Sequence, residues 1–184
     1  MENEEETNKS VKKIIIVEEP KKSNTKKINC KKEKKMRVET KTWGLNEEDL
    51  SHETQLSILK CINKEKNKYT SLFMSHIRSK ICSYKHQDIV KKRLNEDLLV
   101  DYDEVTRLLV DSEMKCCYCS ENVYILYEKV RESKQWSLDR INNDIGHNKG
   151  NLVIACLECN LKRRRTNKDA FMFTKNMVII KENS

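Results

Sequence analysis

The chain has 184 residues, enough for one ordinary domain and a tail but not for two large domains. Charged residues make up 36% and hydrophobic ones 37%, so the core is small, and the net charge of +8 favours a polyanionic partner, nucleic acid ahead of a membrane surface. No stretch nears the roughly 18 apolar residues of a membrane span, and Met1 to Glu6 is acidic where a signal peptide needs an apolar run. An intracellular, reducing location, cytoplasmic or nuclear, is therefore expected, and there the eight cysteines read as metal ligands and thiols rather than as a disulfide scaffold.

Residues 1–45 read as a disordered charged tail. An acidic block at Glu2 to Glu6 is followed by basic clusters at Lys21-Lys22, Lys26-Lys27 and Lys31 to Arg37, and such blocks bury little. The lysines suit phosphate contacts or a nuclear address. Ile14 to Val17 is a short apolar run between the acidic block and these clusters.

Residues 46–112 read as a helical accessory region that contacts DNA. Glycine and proline are absent from it, and Tyr69, Leu72, Phe73, His76, Ile77, Ile81 and Tyr84 recur at helical spacing. Ile89, Val90, Leu94 and Leu98 predict a second helix, and Asp103 caps a third carrying Val105, Leu108 and Leu109. Arg78, Lys80, Lys85, Lys91, Lys92 and Arg93 fall on the opposite faces, as solvated cations or phosphate contacts. His76 reads as a packed core residue, while His52 and His86 suggest no site.

Residues 113–184 carry the chemistry. Cys116-Cys117-Tyr118-Cys119 and Cys156-Leu157-Glu158-Cys159 are two C-x-x-C knuckles. Their four thiolates, Cys116, Cys119, Cys156 and Cys159, can close a tetrahedral structural zinc site. Cys30, Cys61, Cys82 and Cys117 remain as ordinary thiols. Val123–Tyr127, Trp136–Ile141 and Leu152–Ala155 read as strands, Leu157 to about Thr166 as a helix ended by Asn167 or Asp169, and Met177–Ile180 as a closing strand. The expected fold class is α+β: a small zinc-stapled treble clef preceded by helices and a tail. Asp139 on a strand and Asn160 at a helix start offer oxygen ligands to a second ion, Mg²⁺ or Mn²⁺ rather than zinc. Lys162, Arg163, Arg164 and Arg165 can hold a nucleic-acid backbone.

Ser-Leu-Asp-Arg-Ile at 137–141, Gly-His-x-x-Gly-Asn-Leu-Val at 146–153 and Cys-x-x-Cys-Asn at 156–160, followed by Lys162, stand in the order found in HNH, or ββα-metal, nucleases. This part of the chain resembles that family over about Cys116 to Lys168. The resemblance implies phosphodiester cleavage with a structural zinc and a separate catalytic divalent metal. It assigns metal binding to Asp139 and Asn160, and bracing of the loop to Asn151. Arg140 stands where the family usually has its general-base histidine, and arginine does no ordinary base chemistry at neutral pH. His147 is the best substitute base, and a loop-packing residue is the other reading of it. Arg140 can grip the scissile phosphate or pair with a carboxylate.

Two functions follow. One is a metal-dependent endonuclease acting on DNA, with RNA not excluded; the other is a catalytically inactive treble-clef module that binds nucleic acid.

Overall fold

In the computed structural model, residues 35–37, 40–62, 64 and 68–177 are described. The acidic block, most of the lysine clusters, Ile14 to Val17, Cys30 and most of the closing strand expected at Met177–Ile180 lie outside them.

The described chain is α+β, with helices packed around a small two-stranded antiparallel sheet. Its elements are α1 (Thr40–Trp43), α2 (His52–Cys61), α3 (Lys68–Val90), α4 (Tyr102–Asp111), β1 (Trp136–Arg140), β2 (Leu152–Cys156), α5 (Leu157–Arg163) and α6 (Lys168–Lys175). Among the described residues no helix is long and apolar enough to cross a membrane.

The sequence of α3 explains its length. Twenty-three residues pass without glycine or proline, and Thr70, Phe73, Ile77, Tyr84 and Asp88 form one buried stripe. The helix stops where Lys92 turns left-handed at φ 54°. Arg93 N–H then donates to Asp88 O and Lys92 N–H to Ile89 O, closing the end as a Schellman motif. The second helix expected from Ile89 to Leu98 therefore does not form. Ile89 and Val90 belong to the exposed last turn of α3, and Leu94 and Leu98 lie in the connection to α4. The cap of α4 is Asp101, which accepts from Glu104 N–H, so Asp103 sits in the first turn as a helical residue. Ser51 caps α2 in the same way, accepting from Thr54 N–H.

β1 and β2 pair in register from Trp136 opposite Cys156 to Arg140 opposite Leu152. Trp136, Ser137, Leu138 and Asp139 are all buried, so both faces of β1 are covered. The strand expected at Val123–Tyr127 does not form a ladder; only Tyr124 bridges, to Gln135. The amides of Ile125 and Leu126 instead donate to the side-chain oxygen of Gln55 on α2. α5 ends at Arg163 rather than near Thr166, and Asn167 starts α6 as its cap, accepting from Asp169 and Ala170 N–H.

Residues 35–37 and Trp43, read as part of the tail, are docked. Met36 bridges Lys129, Trp43 is buried, and the Arg37 guanidinium lies 4.6 Å from the Tyr127 ring centre. Helices and sheet share one core, in which Phe73 and Ile77 of α3, Val105 and Leu109 of α4, and Met114, Val123 and Ile125 are fully buried. The Tyr84 hydroxyl of α3 accepts from Leu138 N–H of β1, which ties the long helix to the sheet. Of the α3 cations, Lys80 does not face solvent: its amino group bonds the Trp136 carbonyl beneath the indole ring, and burial pulls its pKa down to about 7.

A four-cysteine centre and a cationic pocket

Two local turns build the metal centre. The first knuckle is closed by Ser120 N–H donating to Cys116 O, with Ser120 left-handed at φ 58°. In the second, Cys156 ends β2 and caps α5, its sulfur accepting from Cys159 N–H. The sulfurs of Cys116, Cys119, Cys156 and Cys159 all lie within 4.8 Å of one another, with Cys119 and Cys156 3.9 Å apart. A tetrahedral Zn²⁺ with Zn–S bonds of about 2.3 Å requires S···S separations of about 3.8 Å, so the four sulfurs fit zinc. Donation from the Cys156 thiol holds Cys116 down to about 4, and the same hydrogen bond pushes Cys156 up. Cys117 is no part of this set; burial raises its thiol to about 12. Cys61 and Cys82 are exposed, unbridged thiols.

A pocket of about 550 Å³ opens between the end of α3, β1, the loop 141–151 and α5. Asp139, Arg140, His147 and Asn160 all line it. Asn151 does not line it but braces its loop. Its side-chain oxygen accepts from Asn142 N–H, while its Nδ2 donates to the carbonyls of Asn142 and Gly146.

Asp139 is buried and held at both oxygens. Oδ1 accepts from Arg163 at 2.8 Å and Oδ2 from the Tyr118 hydroxyl at 2.7 Å. The Asn160 Nδ2 is anchored to Ser137 Oγ and Leu138 O, and its Oδ1 has no hydrogen-bond partner among the described residues. An ionised carboxylate offers about four acceptor positions, so two remain on Asp139. Two oxygen donors of this kind suit a hard divalent ion such as Mg²⁺ or Mn²⁺. The surrounding charge is positive, however: Arg163 neutralises Asp139, and Lys91, Arg93, Arg140, Arg164 and Arg165 line the pocket. A phosphate would have to complete such a site, as is usual for Mg²⁺ held by few protein ligands.

The basic run after Asn160 divides. Arg163 is fully buried, bonded to Asp139 and to the carbonyls of Arg140 and Ile141, so it cannot reach a nucleic-acid backbone. Lys162 is exposed and paired with Glu158 on its own helix. Arg164 and Arg165 are exposed at the pocket mouth, the latter paired with Asp144. Arg140 is half-buried; its Nη1 donates to Ile145 O, and burial lowers its pKa, which in an arginine leaves the cation intact.

His147 is buried, with its ring stacked on Tyr84 at 4.4 Å. Its Nδ1 lies 2.9 Å from Asp88 Oδ1, and its backbone N–H donates to Asp88 Oδ2. His76, by contrast, is a half-buried packing residue edge-on to Trp43, as the apolar stripe suggested.

Compared with protein-family models, curated proteins and solved structures, the chain matches none. Its function has to be read from the pocket itself. Two buried partners of the pocket-lining residues escape the motifs. Asp88 stands 59 positions before His147, and no local pattern links them. Burial of Arg163 did leave a trace: it falls four residues after the inward-facing Cys159, on the same helical face.

Burial pulls the His147 pKa below its usual 6.5 and outweighs the opposing pull of Asp88. A lowered pKa means that the unfolded chain takes up the proton more readily. Stability from this residue is therefore complete above about pH 6.5 and declines as the pH falls below it. Urea unfolding of the zinc-loaded protein between pH 7.5 and 5.5 should show that decline, and His147→Gln should flatten it. A slope unchanged in the variant would show that His147 is not the titrating group.

Proposed function

We propose that this chain is a metal-dependent endonuclease of the HNH, or ββα-metal, kind, with a treble-clef zinc module as its frame and DNA as its substrate. One observation carries the reading: a buried imidazole and two oxygen donors line the same arginine-rich pocket. A protein that only gripped phosphates would have use for the arginines, but not for a buried base beside Asp139 and Asn160.

Asp139 and Asn160 would hold the divalent ion, which would stabilise charge on the scissile phosphate and its leaving oxygen. Tyr118 and Arg163 fix the Asp139 carboxylate against rotation, as partners of metal-ligating carboxylates generally do. Arg140 and Arg93, from β1 and the end of α3, bring positive charge to the pocket where a phosphodiester would sit. His147 takes the proton of the attacking water at Nε2. Arg164 and Arg165 track the adjoining backbone.

A second reading, an inactive zinc module that binds nucleic acid, is favoured by the neutralisation of Asp139 by Arg163. A plasmid nicking assay decides between them. Zinc-loaded protein is incubated with Mg²⁺, Mn²⁺ or EDTA beside His147→Asn and Asp139→Asn, chosen because alanine at 139 would strand the buried Arg163. Cleavage that needs the added metal and falls roughly 10²–10⁴-fold in His147→Asn supports the nuclease. DNA binding without nicking, across metals and substrates, leaves the binding module as the account.

A further inference from the structure

The last turn of α3 places behind the pocket-lining His147 a carboxylate that the nuclease motifs do not contain. Asp88 is fully buried, and the ligands of its two oxygens come from one residue: the backbone N–H of His147 at 2.6 Å from Oδ2, and the ring Nδ1 at 2.9 Å from Oδ1. The chain between Gly146 and His147 is pressed against it so closely that a Cβ at Gly146 would lie 2.6 Å from the Arg93 carbonyl oxygen and 2.9 Å from Asp88 Oδ2. Glycine at this position is thus what lets the loop meet the helix.

We infer that Asp88 is the positioning residue for His147: by accepting from Nδ1–H it leaves the lone pair on Nε2, the nitrogen available to the pocket. The inference rests on the nuclease reading and adds a helical residue to its machinery. A carboxylate can only accept, so the ring nitrogen facing it must carry the proton. Stacking on Tyr84 holds the ring plane. In hydrolysis, Nε2 takes one proton from water as the water oxygen bonds to phosphorus. The P–O bond to the leaving sugar oxygen breaks, that oxygen takes a proton from solvent, and the imidazolium later releases its proton. Asp88 stabilises the transient imidazolium, while Lys91 at the end of α3 and Arg140 on β1 oppose it and favour prompt release.

The test uses the full, zinc-loaded chain. Long-range ¹H–¹⁵N spectra of wild type should place the neutral His147 proton on Nδ1. In Asp88→Asn the side-chain oxygen stays on the His147 backbone N–H, and the amide nitrogen then faces Nδ1. The ring should switch to the Nε2–H tautomer, with kcat falling about 10²-fold or more and KM changing little. Zinc content and circular dichroism confirm that the variant is folded. A folded Asp88→Asn with wild-type kcat overturns the inference without touching the nuclease reading, and a wild-type imidazole protonated on Nε2 overturns it together with the role of His147 as the base. Wild type that carries Nδ1–H yet never cleaves DNA overturns both, and the pair is then a buried structural contact.

Discussion

Chelating zinc from the Cys116, Cys119, Cys156 and Cys159 centre should unfold the sheet and dissolve the pocket. Structural zinc contributes about 10–16 kcal/mol of apparent binding free energy in small modules, which matches or exceeds the roughly 5–15 kcal/mol of net stability of a whole domain. The position of the ligands makes the dependence acute. Cys156 is at once a sulfur ligand, the last residue of β2 and the cap of α5, so losing the ion releases a strand end and a helix start together. Amide exchange at Trp136–Arg140 and Leu152–Cys156, followed while a chelator is titrated and zinc release is read by colour, checks this. Protection that survives complete removal of the metal would show that the apolar core alone holds the sheet.

Arg163→Ala should be the most damaging single change among the basic residues, at roughly 3–5 kcal/mol of stability. The guanidinium is fully buried and ties Asp139 to the carbonyls of Arg140 and Ile141. Removing it leaves a buried carboxylate with only the Tyr118 hydroxyl and frees two carbonyls at the end of β1. Its neighbours behave differently. Arg164→Ala and Arg165→Ala remove exposed charge and should cost at most about 1 kcal/mol, while weakening DNA binding and lessening its salt dependence. Thermal melts and salt-titrated binding on the three variants separate the roles. A stable Arg163→Ala with weakened DNA binding would return that residue to the surface role its sequence neighbours have.

The contrast among these arginines shows what the sequence could convey. The cysteine knuckles and both strands were legible because each depends on residues close together, and their ligand spacing or alternation is local. Val123–Tyr127 has the composition of a strand, yet β-propensity reports fit to a half-buried surface rather than a pairing partner. Here the partner for two of its amides is a glutamine side chain. The helix expected at Ile89 to Leu98 failed because apolar spacing continued past a Schellman stop that no glycine announced. At the pocket, Asp139, Arg140, His147, Asn151 and Asn160 were legible as a motif, and four of them line one cavity. Their partners Tyr118, Arg163 and Asp88 were not, because long-range pairing of buried polar groups leaves little local pattern.

Gln55 has a consequence for how this molecule could be divided or inherited. Fully buried on α2, it receives the amides of Ile125 and Leu126 and donates to the carbonyls of Leu50 and Leu126, so one side chain stands in for a missing neighbouring strand. A fragment starting at the first knuckle would lose that surrogate strand, the Tyr84 hydroxyl under β1 and the carboxylate behind His147. The four-cysteine module is therefore not a portable cassette. Recombination or protein engineering would have to move it together with α2 and α3, and a graft joined just before Cys116 would carry the motif without the means to hold it.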